Sequence, residues 1–320
     1  MDEFRPLFRN PHWQTIASHF WPRPANKVPV VRRFYRTGPD VEVLVTSQDP
    51  GSAPRGDIVM LHGLEGSAEA GYIRSLAAAA LRAGYAAHTF HMRTCGGTEH
   101  LCKTLYHAGL TSDLASVLDE FRRASRRPVF LVGFSLGGNV VLKLAGELGE
   151  TAGERFRAVV AVSTPLDLAA CARCLSERQN RLYEQRFIRR MRARLCATGR
   201  YHPEDFRGLR TIFEIDDRIT APSFGFGSAE NYYRTQSAIG FVSRIRVASL
   251  LIQSRDDTLA PFDAFQSEAV RSNPRIEVLA TEHGGHLGFL GRRPHRFWLD
   301  DAIVSWISAQ SAPCTPSRPS

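Results

Sequence analysis

No apolar run in this chain approaches the roughly 20 residues that a membrane-spanning helix needs. The longest, such as Ala158 to Val162, are strand-sized. The opening residues mix charge with Trp, Phe and Pro and lack both an apolar h-region and a small-residue cleavage site, so no signal peptide is expected. Cysteine is sparse, with six residues at 95, 102, 171, 174, 196 and 314. Cys171 and Cys174 form a CxxC, but no second CxxC or nearby His pair completes a zinc site and no thioredoxin-like context surrounds it. Free thiols in a reducing cytoplasm, with no metal, are the expectation. Internal repeats are absent, and so is any nucleic-acid-binding motif.

What is present reads as an ordinary soluble globular chain. Its 320 residues are 43% hydrophobic and 23% charged, a length that suits one catalytic α/β domain with an inserted cap. The formal charge is +9, with arginine dominant over lysine. Much of the excess lies in Arg181, Arg186, Arg189, Arg190, Arg192 and Arg194, which read as one helix. Such a face is ordinarily a solvated one; attraction to anionic membrane surfaces or acidic substrates is the second reading, and nucleic acid is not expected as a partner.

Two β-rich runs, Val30 to Tyr35 and Val41 to Val45, look like an antiparallel pair. They follow a segment from Phe4 to Pro24 that has no clear period and is expected to be an irregular strap. The pattern then alternates: strand Asp57 to His62, helix Tyr72 to Ala83, strand Tyr85 to Phe90, helix Asp113 to Phe121, strand Val129 to Phe134, helix Asn139 to Leu148, strand Ala158 to Val162. Strands alternating with helices imply right-handed crossovers and a mostly parallel sheet covered on both faces. From Leu166 to Ser237 the chain turns helical and charged, which predicts a cap inserted after the sixth parallel-type strand. The sheet resumes at Ala248 to Gln253 and Ile276 to Ala280, and a last helix runs from about His295 to Ser308. The expected division is a catalytic domain over 1–165 and 238–310, a cap over 166–237 and a disordered tail over 311–320.

The strongest chemical signal is Gly133-Phe134-Ser135-Leu136-Gly137, a G-x-S-x-G between an apolar strand and a helix. This is the context of the nucleophile elbow of the α/β-hydrolase fold, where small flanking residues make room for a strained serine. A serine needs a base and an orienting acid to become a nucleophile, and in this fold they follow in the order acid, histidine. The strand Leu250 to Gln253 ends in Asp256-Asp257, either of which can reach the site; Asp257, four residues before Pro261, is the preferred acid. After the last strand comes Thr281-Glu282-His283-Gly284-Gly285-His286, and His286 is the expected base because the two glycines let its loop approach the elbow. His283 is the alternative. The oxyanion hole needs two backbone N–H groups: Leu136, after the nucleophile, and Leu64, in the loop His62-Gly63-Leu64-Glu65-Gly66-Ser67. The His62 ring is expected to hold that loop rather than to act as a base. Phe224, Phe226, Tyr232 and Tyr233 are candidates to line an apolar acyl pocket, with cap packing as the equal alternative.

The chain resembles the YheT-like branch of the α/β-hydrolases from about Phe4 to Trp306. The resemblance rests on Asn10-Pro11-His12-Trp13-Gln14-Thr15-Ile16, on His62 to Ser67, on Cys95-Gly96-Gly97 with Leu105 to Gly109, and on Gly133 to Asn139. It continues through Pro165 to Leu168, Asn180 to Tyr183, Asn231 to Tyr233, Asp256-Asp257 and Gly284 to Phe289. Thr258 stands where proline is usual, and no N-terminal anchor like that of eukaryotic relatives is expected. The resemblance implies a serine hydrolase of small-molecule acyl esters, short- to medium-chain or lipid-like, that needs no cofactor. It implies a cytoplasmic protein, with peripheral contact with anionic membranes left open. Transfer to an alcohol or cleavage of a thioester through the same acyl-enzyme is the runner-up, and a non-catalytic binding protein on the same fold is the alternative of another class.

Overall fold

The computed structural model describes residues 3–24, 26–51 and 53–311. Its centre is an eight-stranded sheet in the order β1-β2-β4-β3-β5-β6-β7-β8. An N-terminal helix α1 (Pro11–Phe20) precedes β1 (Val31–Gly38), β2 (Val41–Gln48) and β3 (Asp57–Leu61). Then come α2 (Gly71–Arg82), β4 (Ala86–Phe90), α3 (Ser112–Ala124), β5 (Val129–Phe134), α4 (Leu136–Leu148) and β6 (Ala158–Val162). The two β1–β2 and β2–β4 pairings are antiparallel; every pairing from β4 through β8 is parallel. The strand before the insertion is therefore sixth in chain order but fourth of the parallel strands, a correction to the expected count, because β1 and β2 join the sheet as an antiparallel hairpin.

Central strands are buried on both faces, so they read as unbroken apolar runs, and their alternate residues feed two separate cores. Val59, Leu61, Leu131, Val159 and Ala161 join one cluster, with α3 and α4 packed over it. Ile58, Met60, Phe130, Val132, Phe134, Val160 and Val162 join the other, under α2 and the C-terminal helix. Each such side chain, once buried, contributes about 1.5–3 kcal/mol of transfer free energy, and it is this double burial that makes the strand ends rigid platforms.

Between β6 and β7 (Ala248–Ser254) the chain leaves the sheet and builds α5 (Leu168–Leu175), α6 (Arg181–Ala197), α7 (Ile212–Ile215), α8 (Ala221–Ser223) and α9 (Ala229–Gln236). One turn of π-helix, Asp216–Thr220, interrupts α7 and α8. The two ends of this insertion meet: Ile239 N–H donates to Leu166 O at 3.0 Å and Leu168 N–H to Ser237 Oγ at 3.0 Å. Asn139 of α4 locks the junction by donating to Ala108 O and Gln236 O and accepting from Ala238 N–H. The chain ends through α10 (Glu268–Arg271), β8 (Ile276–Thr281) and α11 (Trp298–Ser311). Ser311 thus closes a helix, and the rest of the expected tail, 312–320, lies outside the described residues.

The segment expected to be an irregular strap holds α1. Asn10 caps it, its side chain accepting from Trp13 N–H at 3.0 Å, and Pro11 occupies the first turn, where its missing N–H costs nothing. The sequence hides this helix because its polarity is inverted: Gln14 and Ser18 are buried, while Trp13, Ile16 and Phe20 are exposed.

Candidate active site

Strand β5 runs into α4 through Ser135, which sits at φ 51° and ψ −121°. A non-glycine residue held there is strained by on the order of 1–3 kcal/mol. The turn is possible because nothing projects around it. A Cβ on Gly133 would strike the Gly137 carbonyl, and one on Gly137 would lie 2.5 Å from Leu61 O. Ser135 N–H is tied to Val162 O at 2.8 Å, so its side chain alone faces the cavity. The N-terminus of α4 points at the same spot and favours negative charge there.

His286 reaches the serine from the loop after β8. Its Nε2 lies 2.9 Å from Ser135 Oγ, and its Nδ1 lies 3.0 and 3.2 Å from the two Asp257 carboxylate oxygens. A carboxylate accepts and cannot donate, so Nδ1 carries the proton and Nε2 is left to accept from the serine hydroxyl. Asp257 has no exposed side-chain surface. It also accepts from Leu259 and Ala260 N–H, both at 2.9 Å, and from Gln253 Nε2 at 3.1 Å. Asp256 points elsewhere: it meets His283 Nδ1 at 3.2 Å and Gly285 N–H at 2.9 Å, and so braces the histidine loop from outside. The structure therefore brings Ser135, His286 and Asp257 together and leaves Asp256 and His283 paired with each other.

The histidine loop leans on α1. Thr15 Oγ1 accepts from His286 N–H at 2.9 Å, Gln14 Nε2 donates to Leu290 O at 2.7 Å, and Ser18 Oγ donates to Leu287 O at 3.1 Å. Gly285 has φ +57°, and a Cβ there would lie 2.5 Å from Thr15 Oγ1. These α1 contacts lie some 270 residues from the loop in sequence, and spacing alone gives no signal for them.

Opposite the histidine stands the loop after β3. Gly63 N–H is taken by Tyr72 Oη at 3.0 Å. Among the described residues, Leu64 and Leu136 N–H have no protein acceptor, and both residues line the cavity beside Ser135. The His62 ring is fully buried; its Nε2 accepts from Met92 N–H at 3.2 Å and its Nδ1 meets Gly63 O at 2.8 Å. Burial first, then the neighbouring His91, pushes its pKa down to about 3, so it is a neutral strut for the loop.

Sequence reasoning missed the clamp that holds this loop from the insertion. Glu65, at φ 56°, is buried and grips Arg194 of α6, whose Nε lies 2.9 and 2.8 Å from its two carboxylate oxygens. Tyr106 Oη donates to Glu65 Oε1 at 3.0 Å and accepts from Glu65 N–H at 3.1 Å. Arg190 Nη2 donates to Glu65 O at 2.6 Å. Arg194 is thus committed to the site, and Arg190 touches it with one guanidinium nitrogen while staying exposed to solvent. The charge reversal between Glu65 and the arginine run was the only available signal.

Two spaces open from Ser135 and His286. The inner one runs under the insertion and is mostly apolar, with Leu105, Leu168, Leu175, Met191, Leu195 and Ile212 among its walls, and His107, Arg194 and the buried Asp216 lining it as well. Tyr232 and Tyr233 line it. Phe224 and Phe226 do not: they pack edge-on against the ring of His107, at 4.5 and 5.2 Å between centroids, and it is His107 that lines the cavity. The outer one is a groove between the Gly63–Tyr72 loop, α1 and α6, walled by Thr15, Ile16, Phe20, Tyr183, Arg186 and Arg190. Among the described residues no group of His, Cys, Asp and Glu is arranged to hold a metal, and no helix is long and apolar enough to cross a membrane.

The alpha/beta hydrolase family matches residues 58–298. A candidate esterase, YheT of Escherichia coli (strain K12), is 32% identical over 96% of this chain and 93% of its own length. A monoacylglycerol lipase of Saccharomyces cerevisiae is 26% identical over 78% of this chain and 58% of its own. Among solved structures, the Pyrococcus furiosus esterase Pf2001 superposes with a TM-score of 0.59 at 16% identity, covering 91% of this chain and 99% of that one. With its elbow, its parallel sheet and this match over nearly its full length, the chain belongs to the alpha/beta hydrolase family, in its YheT-like branch.

Proposed function

We propose that the protein is a serine hydrolase of carboxylic esters, with Ser135 as nucleophile, His286 as general base and Asp257 as the residue that orients the base. The observation that carries this reading is the unbroken relay of 2.9 Å from Ser135 Oγ to His286 Nε2 and 3.0 Å from His286 Nδ1 to Asp257. His286 takes the serine proton as Oγ attacks the ester carbonyl, and Leu64 and Leu136 N–H receive the oxyanion. Asp257 stabilises the imidazolium without taking its proton. The alcohol leaves with the proton from His286, and water then releases the acid from the acyl-enzyme.

In this reading residues 1–165 and 238–310 form the catalytic domain, and 166–237 form a cap whose apolar underside takes the acyl chain. Its walls of leucine, isoleucine and methionine suit an alkyl chain rather than a polar acyl group. The alcohol part leaves through the outer groove. No cofactor enters any step.

Labelling with a fluorophosphonate, followed by peptide mass, tests the nucleophile. Wild type is expected to carry the adduct on Ser135 and to hydrolyse esters in a panel of graded chain length. Ser135→Ala is expected to lose labelling, and turnover on the order of 10⁴-fold or more. A folded wild type that takes no label and cleaves no ester would refute the reading.

A further inference from the structure

We propose that the outward faces of α1 and α6, which rim the groove leading to Ser135, dock on an anionic lipid bilayer, so that the ester substrate enters from the membrane surface. The starting point is the inverted polarity of α1. Its buried side is polar, with Gln14 0% and Ser18 5% exposed, because those groups hold the histidine loop. Its solvent side carries Trp13 at 64%, Ile16 at 39% and Phe20 at 71% exposure, spaced i, i+3 and i+7 on one face. Ile16 and Phe20 face the groove and Trp13 extends their row beyond its walls, so packing within the domain does not account for this apolar side.

Helix α6 lies alongside. The His12 ring stacks on Tyr183 at 5.8 Å, and Arg186 Nη2 meets His19 Nε2 at 2.8 Å. Leu182 on α6 is 80% exposed, and Arg186 and Arg189 share its side of the helix. Among the described residues, Arg186, Arg189 and Arg190 meet no carboxylate within ion-pair distance, although Arg194 one turn on is paired with Glu65. The arginine crowding is real: burial and then Arg190 and Arg189 push the Arg186 pKa down.

Exposed aromatic and aliphatic side chains set among uncompensated arginines match the boundary between lipid headgroups and acyl chains, where each has a partner. Placement decides the purpose. Ile16, Phe20, Arg186 and Arg190 wall the same groove as Ser135 and His286. A bilayer touching this rim would therefore cover the mouth of the site, and a lipid ester could slide from it to the serine without crossing water. The docking stands on this surface alone; its use for catalysis rests on the proposed ester hydrolysis, which it narrows to esters presented in anionic membranes.

The test uses full-length protein carrying Ser135→Ala, so that no lipid is consumed, and vesicles of phosphatidylcholine with or without phosphatidylglycerol. Sedimentation is expected to show binding to the anionic vesicles, weaker at high salt, with a blue shift in tryptophan emission that is lost in Trp13→Phe. Trp13→Ser, Leu182→Ser and Arg189→Glu together lie outside the groove walls. The triple variant is expected to bind at least tenfold less, while its Ser135-containing counterpart keeps wild-type turnover of a short soluble ester. Arg189→Glu alone is expected to weaken binding and flatten its salt dependence. Equal partition of wild type and triple variant, or no binding to anionic vesicles at low salt, would overturn the proposal even if the soluble ester is cleaved. A dimer that the triple variant splits, without vesicle binding, would assign the face to a second copy and overturn it as well. Vesicle binding with no cleavage of any ester would sustain the docking and remove ester hydrolysis instead.

Discussion

At the residue scale the site turns on which of two adjacent aspartates faces inward. Asp256 and Asp257 are indistinguishable by type and differ by one position on a turn, so sequence could only prefer one by its distance to Pro261. Tertiary structure separates them through the N–H groups of Leu259 and Ala260, which draw the Asp257 carboxylate in toward His286. Asp257→Asn is expected to lower kcat by about 10⁴-fold, since an amide there favours the wrong histidine tautomer. Asp256→Asn keeps an acceptor for Gly285 N–H and is expected to cost less than tenfold; steady-state kinetics on a soluble ester measures both. Comparable losses in the two variants would contradict the assignment.

At the scale of elements, two helices that are distant in sequence brace the two sides of Ser135. The α6 clamp is a buried ion pair, and removing one partner strands the other charge away from water. Arg194→Met is expected to destabilise the protein by about 3–5 kcal/mol and to lower its thermal midpoint. Double replacement with Glu65→Gln should recover part of that, because no uncompensated charge then remains. Thermal unfolding of the three proteins checks the order; a single variant as stable as the double would show the pair to be solvent-accessible. On the other side, Gly285→Ala would force Cβ into Pro11 O and Thr15 Oγ1 of α1 at a positive φ. It is expected to reduce kcat by more than tenfold with KM little changed, since it displaces His286 and not the substrate walls.

The element scale also shows what was legible. The elbow, the parallel strands and the glycine loop of His286 were readable because each depends on neighbours within a few residues. Helix α1 carries no helical signal beyond its start at Asn10 and Pro11, because a face of Gln14 and Ser18 does not announce a buried side. Phe224 and Phe226 fit a pocket by type and place, but in the fold they stand behind His107 and Tyr232, which line the cavity in their stead.

At the scale of the whole molecule, buried titratable groups set how stability answers to pH. Burial pushes His62 and His107 down to about 3 and His91 down to about 4. These rings take protons in the unfolded chain near pH 6.5 but stay neutral in the fold, so their stabilising contribution is lost as pH falls. Two buried acids act in the other direction: burial raises Asp216 to about 6 and Asp300 to about 7. The folded protein takes up those protons between pH 7 and 5, before the unfolded carboxylates do. Three histidines against two acids leave the unfolded state binding more protons, so the melting temperature is expected to fall from pH 7 to 5. Each uncompensated proton is worth about 1.4 kcal/mol per pH unit. Asp216→Asn removes one folded-state proton and is expected to steepen the decline, as differential scanning fluorimetry across pH would register. A slope unchanged in this variant would mean that Asp216 is ionised in the fold.

By itself the sequence determined what short range can determine. Strand-sized apolar runs demand a sheet covered on both faces, the glycines around Ser135 permit a strained elbow, and the order of serine, acid and histidine follows the strand ends. Tertiary structure alone decided which aspartate faces His286, which aromatic side chains reach the cavity and what holds the two loops beside Ser135. It also decided that the apolar side of α1 is left bare beside the groove. The loop braces depend on contacts between residues more than a hundred positions apart, such as Glu65 with Arg194 and Thr15 with His286, and the aspartate choice on two strand ends meeting, Asp257 with His286. No local pattern encodes them, because each is settled only when the sheet has brought its loops to one edge.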